Sequence, residues 1–136
     1  MNRTILITYQ FLIGLSDAVT GALLITNPEF TLQLMRLRVA PESLPFLSFI
    51  GAFVMSVGLS CLYGAFVMAG RGNRSKLEAV WLLTAMTRAS VAVVVIALIL
   101  THSLQMGWAM VAISDGACAA FQAAGLRKGW LAHVAR

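Results

Sequence analysis

Four apolar runs, each long enough to cross a bilayer as a helix, occupy residues 5–26, 46–70, 77–101 and 104–126, separated by links of 19, 6 and 2 residues. A helix needs roughly 20 predominantly apolar residues to traverse about 30 Å of hydrocarbon, so the pattern predicts four membrane spans. Composition agrees: 60% of the residues are hydrophobic, 11% are charged and the mean hydropathy is +0.86. A soluble domain carries roughly 45–50% apolar and about 25% charged residues, so this chain lacks the polar surface to coat a globule. The 136 residues are accounted for by one integral membrane domain. The expected fold is all-α: a polytopic four-transmembrane-helix bundle.

The links add detail. Asn27-Pro28-Glu29 ends the first run and starts something new, with Asn27 as N-cap and Pro28 at the first helical position. A short amphipathic helix is expected from there through Phe30 to Arg38, lying along the membrane surface, followed by an extended link between Pro41 and Pro45. The other links are the polar hairpin 71–76 and a minimal turn at His102-Ser103, and a basic tail begins at Arg127. Four spans put both termini and the 71–76 hairpin on one side of the membrane. That side holds Arg3, Arg71, Arg74, Lys76, Arg127, Lys128 and Arg136, against Arg36 and Arg38 on the other. The bias predicts both termini in the cytoplasm. Trp81 and Trp130 are expected in the cytoplasmic aromatic belt, Trp108 in the opposite one, and Glu78 paired with the basic hairpin. The first run carries Asp17 and continues through Ala22-Leu23-Leu24-Ile25 without a small-x-small cleavage site, which reads as a span rather than a signal peptide.

Several functions lose support at this stage. The formal charge of +5 belongs to membrane-flanking loops and does not argue for nucleic acid as a partner. Cys61 and Cys118 fall inside apolar runs without paired spacing, and read as core-filling thiols. No phosphate loop, nucleophile with a base, or metal-ligand spacing stands out, so no catalytic residue, metal or cofactor is expected.

The informative residues are the ionisable ones inside the spans. Asp17, Arg88 and Asp115 each interrupt an apolar run, and a charge at the centre of a membrane helix costs about 2.5–3.5 kcal/mol on the insertion scale. Counted from the cytoplasmic edge they lie about eleven or twelve residues deep, hence at one level to within a couple of ångströms. Such groups face the bundle interior rather than lipid, so the three are expected to form one cluster. Gln10 precedes Asp17 by seven residues and Gln122 follows Asp115 by seven, which puts a second polar layer on the same helical faces. Thr84, one turn before Arg88, is expected to help orient it. The cluster acts either as a polar lock on helix register or as a proton-linked or ligand-binding site.

Small residues recur in the second span at Ala52, Ser56, Ser60 and Gly64, and Gly14 and Gly21 flank Asp17 on its own helix. Such stripes let helix backbones approach closely in lipid, either within the chain or against another subunit.

The glycine-bearing first span, the Asn27-Pro28-Glu29 break before a Leu-rich segment ending near Leu37, the second span's Phe49-Ile50-Gly51-Ala52 and the closing Asp115-Gly116 with Gln122 resemble small bacterial DoxX-like four-helix membrane proteins. The resemblance implies their fold and an accessory role, since some members resemble membrane subunits of quinone-linked oxidoreductases; it carries over no catalytic residue. The leading expectation is a non-enzymatic accessory or scaffolding subunit, with other membrane subunits or copies of itself as partners in the lipid bilayer. The alternative is a small proton-linked carrier or binding protein for a solute or a quinone-like lipid, in which Arg88, Asp17 and Asp115 engage a hydrophobic small molecule.

Overall fold

The computed structural model describes residues 2–70 and 73–133, and all regular structure among them is helical. Five α-helices follow one another: α1 (Arg3–Thr26), α2 (Pro28–Leu34), α3 (Leu44–Ala69), α4 (Arg74–Leu100) and α5 (Ala109–Arg127). Short 3₁₀ turns sit at Pro41–Ser43, Met106–Trp108 and Trp130–His133. Four stretches are long and apolar enough to cross a membrane: Arg3–Thr26, Pro41–Ala69, Arg74–Leu100 and Met106–Arg127. Large apolar side chains are exposed along them, among them Phe46, Phe53 and Phe66 on α3 and Val93 and Leu100 on α4, which suits a lipid environment. Arg71 and Arg136, counted above on the cytoplasmic side, and Gly72 of the hairpin lie outside the described residues.

The chain divides into two compact units, Met1–Ala69 and Gly70–Arg136. In the first, α1 and α3 pack antiparallel along a seam of glycines. Gly14 lies against the Gly58 carbonyl, and Gly21 against the carbonyl of Gly51. A Cβ at Gly14 would stand 2.8 Å from Leu62 N, and one at Gly51 would stand 2.9 Å from Gly21 O. The contact is therefore backbone on backbone, available only where no side chain intervenes. Spacings of seven on both helices keep the glycines on one seam.

Asn27 joins α1 to α2 as expected. Its N–H donates to the Leu23 carbonyl at 2.7 Å and its Oδ1 accepts from the Phe30 N–H at 3.1 Å, with Pro28 in the first turn. α2 stops at Leu34, four residues short of the expected end. Arg36 adopts a left-handed backbone (φ 55°), and the Arg36 and Leu37 N–H groups turn back to the carbonyls of Gln33 (3.0 Å) and Leu32 (2.9 Å). Leu32 and Leu37 are both buried, so this closure terminates the helix early with the apolar contact such caps carry.

In the second unit Asn73 caps α4, its Oδ1 accepting from the Ser75 N–H at 2.8 Å, and Arg74 pairs with Glu78 at 2.7 Å, the expected partner within the basic hairpin. At the far end His102 takes φ 57° and ends α4 in the manner of Arg36. α5 returns antiparallel along α4. Beyond it Gly129 (φ 63°) turns the chain back, and Leu131 is buried to 1% exposure. Trp81 departs from expectation: it is fully buried, against Gly125 and Phe121, and so sits in no interfacial belt.

Candidate functional site

The site is built on the facing sides of α4 and α5. Arg88 projects from the middle of α4 and its Nη1 donates to Asp115 Oδ1 of α5 at 2.5 Å. The arginine side chain is 5% exposed and the aspartate 18%, so this is a desolvated ion pair in the membrane-spanning part of the hairpin. Arginine keeps its charge throughout. Low dielectric makes the attraction strong and makes removal of either partner costly. Two turns along α5 from Asp115, Gln122 is fully buried and donates through Nε2 to Thr84 Oγ1 at 3.0 Å. The Thr84 hydroxyl itself donates to the Val80 carbonyl at 2.7 Å. Thr84 thus holds Gln122 and does not orient Arg88 as expected. The pairs Arg88–Asp115 and Thr84–Gln122 form a polar ladder between two antiparallel helices.

The remaining polar residues of the expected cluster belong to the first unit. Asp17 is half-buried on α1, between Gly14 and Gly21. Gln10 is fully buried, and its Nε2 and Oε1 have no hydrogen-bond partner among the described residues; the same holds for Gln122 Oε1. The small-residue stripe on α3 does not coincide with the glycine seam. Ala52 and Ser56 are exposed, Ser60 is half-buried and Gly64 is buried. Ser56 Oγ donates to the Ala52 carbonyl and Ser60 Oγ to the Ser56 carbonyl, both at 2.8 Å, so their hydroxyls are satisfied within their own helix.

Three structural residues escaped the sequence reading. Gly51 and Gly58 form the seam, and their spacing of seven, matched by Gly14 and Gly21, was the available signal. Arg3, counted only as a flanking charge, donates through Nη2 to the carbonyls of Met68 and Ala69, both at 2.8 Å. It caps the C-terminal end of α3, where carbonyls lack helical partners and the dipole favours a cation.

An all-α chain with four helices of membrane-crossing length and a buried Arg–Asp pair between two of them is the class that these observations define. No protein-family model matches the sequence, and no curated protein or solved structure matches it either.

Proposed function

We propose that this protein is a non-enzymatic integral membrane subunit that works by packing, as an accessory or scaffolding part of a larger membrane complex or of a homo-oligomer. The observation that carries this reading is the buried Arg88–Asp115 pair: at 2.5 Å the guanidinium and the carboxylate tie α4 to α5, the arrangement of a lock on helix register. The exposed Ala52 and Ser56 of α3 supply a docking face, since their small side chains admit another helix closely and the Ser56 hydroxyl is already bonded. The basic excess of the flanking segments supports both termini in the cytoplasm, and the DoxX-like resemblance supports a bacterial inner-membrane location. The DoxX-like resemblance supports the accessory role. Gentle extraction from native membranes, followed by size analysis and cross-linking, tests the proposal. The expected result is a defined oligomer or a larger complex that Ala52→Leu with Ser56→Leu disperses without unfolding the chain. Recovery of a lone monomer from every mild detergent overturns it.

A second reading, a proton-linked carrier or binding protein for a hydrophobic small molecule, draws support from Gln10. A buried amide with neither end bonded costs roughly 2–7 kcal/mol, and a polar occupant would relieve it. For a carrier, Gln10→Leu, Arg88→Gln and Asp115→Asn abolish ligand retention in folded protein. For a subunit, Gln10→Leu leaves assembly intact and raises stability.

A further inference from the structure

Apart from the buried Arg88–Asp115 pair, the charge among the described residues of the second unit is gathered at one end. The start of α4 carries Arg74 and Lys76, and the end of α5 carries Arg127 and Lys128. Because the helices run antiparallel, with Trp81 of α4 against Gly125 of α5, these four cations share the same end of the hairpin. Glu78 neutralises Arg74 at 2.7 Å, leaving Lys76, Arg127 and Lys128 with no carboxylate partner among the described residues. At the other end residues 101–108 contain no Lys, Arg, Asp or Glu, and a groove of about 300 Å³ is lined by apolar side chains including Ile96, Leu100 and Ile113.

The cationic end is also held in place. Gly129 turns the chain back, Leu131 is buried at 1% exposure, and the Trp130 ring packs 5.3 Å from that of Phe121. Lys128 Nζ stands 5.9 Å from the centre of the half-buried Trp130 ring. An indole at the edge of a membrane span, with an ammonium over its face and two further cations at the same end of the helix pair, fits the headgroup layer, where aromatic rings and basic side chains meet phosphate.

We propose that Lys76, Arg127 and Lys128, ordered by the Trp130 turn, form a docking surface for the phosphate headgroups of anionic phospholipid. The proposal is independent of whether the protein is a subunit or a carrier. It differs from a general attraction of basic loops to membranes in naming three cations on a folded platform as the determinants of lipid choice.

The test is lipid retention by native mass spectrometry after extraction from nanodiscs holding equal phosphatidylglycerol and phosphatidylcholine. Wild-type protein is expected to retain phosphatidylglycerol preferentially. Preference falls about fivefold for each of Lys76→Gln, Arg127→Gln and Lys128→Gln. The triple variant retains the two lipids equally, with its helical circular dichroism unchanged. Arg36→Gln with Arg38→Gln, which removes two cations elsewhere, leaves the preference intact. Trp130→Leu weakens the preference with all charges kept. Equal retention by the wild type, or an undiminished preference in the folded triple variant, overturns the proposal. Displacement of the bound lipid by millimolar inorganic phosphate would also overturn it, by assigning the cations to a soluble anion instead.

Discussion

The two units solve one problem, holding a pair of antiparallel helices together in lipid, by opposite means. α1 and α3 thin the side chains at the contact: Gly14, Gly21, Gly51 and Gly58 bring main chain against main chain, and a long polar contact from Arg3 lies at the end of the pair. α4 and α5 keep side chains in it: Arg88 meets Asp115, Gln122 meets Thr84, and Trp81 covers Gly125. With no hydrophobic force to drive apolar helices together in lipid, dispersion between close backbones and hydrogen bonds between side chains are the two available attractions. The first is short-ranged and tolerates no added atom. The second depends on pairing, and fails when one partner is lost.

The largest expected effect strikes the second unit. Asp115→Ala takes a carboxylate away from the buried Arg88 guanidinium and should cost about 3–5 kcal/mol, read from equilibrium unfolding in mixed micelles. A double-mutant cycle with Arg88→Gln should return a coupling of about 1–3 kcal/mol. Additive single effects would mean that the pair holds nothing. Next comes the same substitution made in both units. Gly58→Ala drives a methyl into the main chain of Ala18 and should destabilise by about 1–3 kcal/mol. Gly116→Ala, whose added carbon would lie 3.8 Å from the Ala92 Cβ, should be neutral or stabilise by up to about 1 kcal/mol through helix propensity. Equal responses at the two sites would erase the contrast between the units. Thr84→Val removes the acceptor for Gln122 Nε2 and should cost about 1 kcal/mol, near the usual worth of a hydrogen bond between membrane helices. The smallest effect is expected from Arg3→Gln, some tenths of a kcal/mol to about 1 kcal/mol, sharply reduced by salt if the guanidinium acts through the exposed end of α3.

The sequence made the long helices legible because run length alone decides them in lipid: Ile5, Phe46 and Leu77 each lie within three residues of the start of a helix. The caps at Asn27 and the Arg74–Glu78 pair were readable from local rules. Comparing residue depths on separate spans pointed to Asp17, Arg88 and Asp115 as one cluster, of which Arg88 and Asp115 form a buried pair, because an unpaired charge has few places to go in hydrocarbon. What stayed hidden depends on which face of a nearly uniform helix turns inward. α3 carries two small-residue rows, and nothing local ranks Gly51 and Gly58 above Ala52 and Ser56; only the matching row on α1 does. Trp81 resembled a belt residue because its cover, Gly125, is supplied by a different helix. The early end of α2 was masked because Arg36, not glycine, occupies the left-handed position.

The equal spacing of the four glycines has one more implication. A ratchet with two matching notches on each side can engage in more than one tooth position: sliding α1 by seven residues would set Gly21 opposite Gly58, or Gly14 opposite Gly51, and still seat one notch. Arg3 breaks that ambiguity, since only the fully engaged position lets its guanidinium reach the last carbonyls of α3. A weak bond at the open end of the α1–α3 pair therefore selects among alignments that the strong contacts along its length would accept, and its loss should show as a mixture of slipped forms more than as a drop in stability.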